Sequence, residues 1–530
     1  MQSTVDYLIV GGGSSGCALA GRLSEDASKQ VLLLEAGGKG DNWLVNTPAA
    51  VVLMVPKKFN NWAFETVPQP GLNGRKGYQP RGKVLGGSSS INAMAYIRGH
   101  RNDYDEWAAL GNTGWSFDEV LPYFKRSEDN RRIKNEMHGQ GGPLVVSDLQ
   151  TDNPFQNHYL EAARQVGYPI SEDFNGAEQE GVGLYQVTQE NGERWSSYRG
   201  YVKPHLDTRS NLRVETGAQT QRILFEGKRA VGVEYRQGGS TKTVMVRKEV
   251  ILSAGAFQSP QLLMLSGIGD AAELQKHGIP VVHHLPGVGK NLKDHPDFIF
   301  GYKSNDSNLL GISLKGGLHL FKQIARYRRE RRGLVSSNFA EGGAFLKTSP
   351  DLPAPNIQLH FVIALVDDHA RTLHPGHGLS CHVCLLRPRS TGSVTLRDSN
   401  PDSPPLIDPQ FLADPADVEE LVAGYKMTEK LMKAPALAQF ITEDPFTVNV
   451  KTDDDIRAIL RQRTDTVYHP VGTCKMGIDD MAVVDPSLRV HGIDGLRVVD
   501  ASIMPTIIGG NTNAPAIMIA EKAADLIRLG

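Results

Sequence analysis

The stretch "DYLIVGGGSSGCALAGRLSED", residues 6 to 26, constrains this chain more than any other. A short apolar run reads as a strand, three glycines make a turn, and small residues then run on as a helix. Gly11, Gly13 and Gly16 fit the pattern G-x-G-x-x-G. In that pattern the first glycine permits the tight turn, the second lets backbone approach a pyrophosphate, and the third lets helix and strand pack closely. The helix N-terminus then offers N–H groups and a partial positive charge to phosphate. Alone the pattern is weak, but its context is right. A second buried strand, "QVLLLEAGG", closes on Glu35, an acid placed to accept hydrogen bonds from a ribose hydroxyl. The unit predicts dinucleotide binding and leaves NAD and FAD both open.

Length sets the rest of the frame, because 530 residues exceed one ordinary core and predict two or three domains. A net charge of −2 gives no general pull toward nucleic acid, and four cysteines make no disulfide framework. No apolar run is long enough to span a membrane as a helix. The opening residues lack the basic segment of a signal peptide, so a cytoplasmic chain is expected. "CHVC", residues 381 to 384, has zinc-like spacing. It has no second pair, however, and Cys381 and Cys384 on a strand would face opposite ways, so no metal site is expected.

Two further segments narrow the cofactor. "RGKVLGGSSSINAMAYIRGHRNDYDEW", residues 81 to 107, runs a glycine–serine loop straight into buried sequence, as backbone lying against a planar ring would require. "SAGAFQSPQLLMLSGIG", residues 253 to 269, again joins a strand end to a helix through small residues. Together with the N-terminal fingerprint and the tail "DASIMPTIIGGNTNAPAIMIAEKAADLI", these segments resemble the glucose–methanol–choline (GMC) oxidoreductases, FAD-dependent alcohol oxidases and dehydrogenases. The resemblance runs over essentially the whole chain.

That resemblance implies an α/β fold in which a Rossmann-type FAD-binding domain carries a substrate domain built on an antiparallel sheet. It places the first in residues 1–157, 190–297 and 465–530 and the second in 158–189 and 298–464. It implies that Ser14 and Ser15 meet the pyrophosphate and Glu35 the adenosine ribose. Val84, Gly87 and the run Asn92, Ala93, Met94 and Ala95 would border the isoalloxazine. Thr220 would face the adenine through its backbone, and Asp500, Ala501 and Thr512 would lie along the remaining flavin. Some members anchor FAD through a histidine just before the loop asparagine. Here that position is Ile91, so FAD should be held without a covalent link.

The same resemblance turns "TVYHPVGTCKMG", residues 466 to 477, from a plausible buried histidine into a base. His469 would face the reactive edge of the flavin with Asn511 as its partner, Asn513 being the competitor, and Tyr468 would line the cavity. A neutral imidazole suits proton removal from an alcohol near pH 7. An amide donor can hold the alcohol oxygen as negative charge develops.

Between 298 and 464, "NIQLHFVIAL", "LSCHVCLLRP" and "GSVTLRD" read as strands of one antiparallel sheet, and "PADVEELVAGYKMTEKLMKAP" reads as a helix. "SLKGGLHLFKQIARYRRERRG" predicts a basic amphipathic helix over 314–332. It is either an ordinary surface helix or one that rests on the inner face of the cell membrane. Within the family the wording is closest to bacterial alkanol dehydrogenases, which are membrane-associated and pass electrons to a quinone-type acceptor. The expected substrate is a primary aliphatic alcohol. An oxygen-using oxidase, a choline dehydrogenase and a fatty-acid photodecarboxylase stand as alternatives. A choline cage could draw on Glu341 between Phe339 and Phe345.

Overall fold

The computed structural model describes residues 3–529. Strand Ser3–Val10 lies between Val31–Glu35 and Ser240–Leu252, parallel to both, and Leu212–Thr216 extends the sheet beyond Val31–Glu35. Leu32, Leu33, Ile9 and Ile251 are fully buried, as continuous apolar strands covered on both faces must be. On its other edge the long strand Ser240–Leu252 serves two more neighbours. Its last residues take Leu496–Val498 in parallel, and its first half takes Arg229–Gln237 antiparallel, which in turn pairs with Gln219–Glu226.

Helix Ser14–Leu23 leaves this sheet at the glycine turn, and Gly16 sets how closely it packs. A Cβ there would lie 1.9 Å from the Gly11 carbonyl oxygen. Gly11 itself turns at φ +103°, where side chains are strained. The C-terminal helix Asn513–Leu529 packs alongside, tied by Ser15 Oγ donating to the Ala516 carbonyl at 2.7 Å. Further along, the buried Glu521 carboxylate accepts from Arg22, Arg126 and the Tyr201 hydroxyl.

A second sheet is wholly antiparallel, in the order Asp465–Thr466, Pro296–Ser304, Gly376–Leu385, Ile357–Val362, Ala340–Leu346, Gly181–Leu184. Helices Phe155–Val166 and Pro415–Met432 pack behind it. The molecule therefore has the expected α/β architecture, a Rossmann-type sheet joined to an antiparallel one.

Two local expectations change. "GSVTLRD" does form a strand, Ser393–Thr395, but it pairs only with Leu406–Asp408 in a separate ribbon. The helix over 314–332 is Leu314–Glu330, and it does not turn its apolar stripe inward. Tyr327 is its buried anchor, donating to the Gly192 carbonyl, while Leu314, Leu318 and Phe321 are 92%, 69% and 73% exposed. Among the described residues no helix is long and apolar enough to cross a membrane, and no group of three or more His, Cys, Asp or Glu side chains could hold a metal ion. Cys381 and Cys384 are both buried, in different apolar clusters on the two faces of their strand.

Candidate active site

A cavity of about 380 Å³ runs from the glycine turn of the first sheet to the face of the second. At its nucleotide end lie Gly11, Gly13, Ser14, Ser15, Glu35, Thr220, Asp500 and Ala501, and further along Gly87, Asn92, Ala93, Met94, Ala95 and Thr512. Gly16 stays behind the wall, in the packing role its closeness to Gly11 requires. Val84 does not line the cavity. Its apolar side chain turns instead into a small core with Val45, Met54 and Ile91.

The nucleotide end is arranged for an anionic ligand with ribose hydroxyls. Glu35 is buried and accepts from Gly12 N at 2.9 Å and Gly37 N at 2.6 Å, and burial pushes its carboxyl up to about 7. The serine hydroxyls serve the fold, since Ser14 Oγ donates to Asn513 Oδ1 at 2.7 Å and Ser15 Oγ to Ala516 O. What they offer a pyrophosphate is backbone N–H at a helix start. A Cβ on Gly13 would meet only Ser253 O, at 3.8 Å, so the backbone is open to close approach. Thr220 Oγ1 is buried with no protein partner. Asp500 caps the turn after it, accepting from Ser502 N, Gly255 N and Ser259 Oγ. An elongated dinucleotide fits these features, with Thr220 and the open turn supplying contacts the protein leaves unfilled.

At the other end the structure brings His469 and Asn511 together, with Asn511 Nδ2 3.1 Å from His469 Nε2. Asn513 is engaged with Ser14, which leaves Asn511 as the amide beside His469. Two hydrogen-bond chains, each anchored on a backbone carbonyl, fix the polarity of this pair. Along the first, His295 Nε2–H donates to Leu386 O at 3.1 Å. His295 Nδ1 is then a lone pair, and it takes the Nδ1–H of His469 at 3.0 Å. The only unprotonated nitrogen left on His469 is Nε2, the one facing Asn511. Along the second, Tyr185 O–H donates to Leu359 O at 2.6 Å and accepts from Gln358 Nε2 at 3.0 Å. Gln358 Nε2 also donates to Asn511 Oδ1 at 2.9 Å, which turns the Asn511 NH₂ toward His469.

Burial then keeps the imidazoles neutral. It holds His469 well below the ordinary value of 6.5, with His295, His360 and Arg81 adding to the effect, and holds His295 and His360 down to about 3. The loop carrying His469 is pinned by Asp294, which accepts from His469 N, His295 N and Thr466 Oγ1. Tyr468, just before the base, lines the cavity in the left-handed region at φ +76°. Such strain in a bulky residue persists only where its surroundings hold it. Here the Tyr468 carbonyl accepts from Arg81 Nη2, and its hydroxyl is 2.7 Å from His369 Nδ1.

Sequence reasoning missed His295, Asp294, Gln358 and Tyr185. The first two had a signal, a second His-Pro step in "KDHPD". Gln358 and Tyr185 had none, because the register of the antiparallel sheet puts them there. Glu341, weighed as part of an aromatic cage, lies off the cavity. Its carboxylate accepts from Ser337 Oγ, Thr151 Oγ1 and Gln156 Nε2, and Phe345 is likewise absent from the wall.

The two family models described as GMC oxidoreductase match residues 5–297 and 388–520. The chain belongs to the GMC oxidoreductases, flavoenzymes whose cofactor is FAD. It is 48% identical to an "alcohol dehydrogenase [acceptor]" of Pseudomonas putida over 98% of this chain and 95% of that one. It is 44% identical to the mitochondrial choline dehydrogenase of Homo sapiens, over 98% of this chain and 89% of that one. Among solved structures, a formate oxidase of Aspergillus oryzae, studied for FAD modification, superposes with TM-score 0.92 at 29% identity, covering 100% of this chain and 98% of the other. A fungal aryl-alcohol oxidase does so with TM-score 0.85 at 25% identity, over 99% of each chain.

Proposed function

We propose that this enzyme oxidises primary aliphatic alcohols to aldehydes and passes the electrons to a quinone-type acceptor. The observation that carries the proposal is the unprotonated His469 Nε2 set beside the Asn511 NH₂ in a buried, largely apolar chamber. An alcohol oxygen placed between them would give its proton to Nε2 and accept a hydrogen bond from Asn511 Nδ2. The base would then contribute typically ~10²–10⁴ in rate, and Asn511 would stabilise the negative charge on oxygen as the proton leaves. FAD supplies the acceptor for the hydride of the carbinol carbon. Ile91 offers no nucleophile for a covalent link, so the cofactor is held by contacts alone.

The walls favour an uncharged substrate. Phe339, Val362, Val366 and Val467 line the chamber. The carboxylates on the cavity wall, among the described residues, are Glu35 and Asp500, both at the nucleotide end and both bonded to backbone N–H groups. Asp297, near the reacting end, lies off the wall, and its Oδ2 is 2.6 Å from His382 Nδ1. A trimethylammonium group, as in choline, would find no free carboxylate there.

The exposed stripe of Leu314, Leu318 and Phe321 supports a docking face for the membrane in which such a quinone dissolves. Lys315, Lys322 and Arg328 lie on the same helix and suit anionic lipid. Ile312, just before the helix, and Leu373 are also exposed, and Ile312 pairs with Pro375.

Anaerobic bleaching of the bound flavin by 1-alkanols, benzylic alcohols and choline tests the proposal. The reduced enzyme is then divided between air and a soluble quinone analogue. Fast bleaching by 1-alkanols with quinone outpacing air is expected. Bleaching by choline alone, or faster reoxidation in air, replaces it with the choline dehydrogenase or the oxidase.

A further inference from the structure

Two buried guanidinium groups in this molecule are matched by a carboxylate, Arg98 by Glu128 and Arg497 by Glu249, as is the partly buried Arg387 by Asp103. Arg81 is not. Its Nη2 donates to the Tyr468 carbonyl at 2.7 Å, its Nε donates to the Pro80 carbonyl, and its side chain lines the cavity. Among the described residues no carboxylate lies within ion-pair distance. The acid acting on it is Asp294, whose oxygens already accept from His469 N, His295 N and Thr466 Oγ1. Arg194 behaves alike on the far side of the same glycine–serine loop. It donates to the carbonyls of Val45 and Ser89 and to Asn92 Oδ1, and its Nη2 is buried without a partner.

Burying an uncompensated cation is costly. Such a charge is retained where an anion arrives in the working state. The guanidinium reaches the Tyr468 carbonyl, next to His469, whereas the N–H groups offered to a pyrophosphate belong to the glycine turn and the helix start. Arg81 instead sits at the loop of His469, and its charge helps hold that imidazole neutral.

We infer that Arg81 is the electrostatic partner of the flavin ring itself, stabilising the negative charge the ring gains on reduction. Hydride transfer places negative charge on the ring, and a cation held near it stabilises that charge. When the alcohol O–H proton goes to His469 Nε2 and the carbinol carbon gives up its hydride, the aldehyde leaves neutral. With FAD bound, the histidine would then be cationic and the flavin would carry one added negative charge. Held on two backbone carbonyls, the guanidinium is oriented beforehand and needs no rearrangement as that charge appears. Arg81 is thus a determinant of flavin potential and also of the neutrality of the base. This inference rests on FAD occupying the cavity and not on which alcohol is oxidised.

Sulfite adds to flavin N5 and leaves the ring anionic, so it reports the same stabilisation without any alcohol. Holoenzyme carrying Arg81→Gln should bind sulfite roughly tenfold or more weakly, the size expected for losing a charge within several ångströms at intermediate dielectric. Its flavin midpoint potential should become more negative. Arg81→Lys, which keeps the charge and loses the fork, should hold FAD and stay within about threefold of the parent in sulfite affinity, a few tenths of an electrostatic contact. Unchanged sulfite affinity in flavin-loaded Arg81→Gln overturns the inference. So does a tenfold loss in Arg81→Lys, which would make the carbonyl contacts, and not the charge, the contribution of Arg81. Should Arg81→Gln fail to retain FAD, the same two outcomes are read from flavin-loaded Arg81→Met.

Discussion

The hydrogen on His469 Nδ1 needs an acceptor, and His295 provides one only because its own Nε2–H is committed to the Leu386 carbonyl. His295 is therefore a positioning residue. Replacing it with leucine leaves Nδ1–H of His469 without a partner and frees the ring to take the wrong tautomer. Flavin reduction should slow by roughly 10²-fold or more, as losses of base orientation do, with FAD content unchanged and the apparent pKa of the profile displaced. In the parent enzyme the base should titrate below the ordinary histidine value of 6.5, since burial disfavours its cation. A folded pKa depressed in this way keeps Nε2 free at and above pH 6.5. The rate of anaerobic flavin reduction should thus be flat above that value and fall only as pH drops below it. An inflection at or above pH 7 assigned to this histidine would contradict the desolvated site. At this scale much was legible: His469 and Asn511 follow from the His-Pro-x-Gly-Thr turn and the asparagine tail once the flavin motifs are seen. His295 had a His-Pro step to mark it but not its partner, and Gln358 and Tyr185 act through atoms of residues far apart in the chain, pairings that no local pattern encodes.

Elements with strong period or punctuation declared themselves. The glycine turn and helix Ser14–Leu23, the apolar strand Val31–Glu35 and the helix Pro415–Met432 follow directly from composition and spacing. Ser393–Thr395 did not reveal its partner, because alternation specifies a strand's faces and not which edge it joins. The helix Leu314–Glu330 shows a related limit. Its stripe is visible in sequence, but only the fold shows that the stripe is left outward, with Tyr327 buried on the other side. If that face rests on lipid, replacing Leu318 and Phe321 together with glutamate should abolish co-sedimentation with vesicles of anionic phospholipid. Flavin reduction by a soluble short-chain alcohol should be unaffected, since neither residue reaches the cavity wall. Equal vesicle binding by parent and variant would leave the stripe without a membrane role.

Across the whole molecule, the site exists only where the two sheets meet. The parallel sheet contributes the glycine turn and Glu35, while the antiparallel sheet contributes His360 and Gln358 and, just past its strand ends, His295 and the Leu386 carbonyl. This division explains what the chain disclosed. The FAD-binding half is written in contiguous motifs because backbone approach to a cofactor demands glycine at fixed spacing. The chamber at His469 is assembled from single residues on separate strands, so the cofactor could be read from motifs, whereas the substrate expectation came only through the family resemblance. The central claim is that His469 takes the alcohol proton. Stopped-flow anaerobic bleaching by the best alcohol of the panel, comparing the parent with FAD-replete His469→Gln, tests it most directly. A fall of roughly 10²–10⁴ in the limiting rate is predicted, and an unchanged rate with full flavin content would contradict the account.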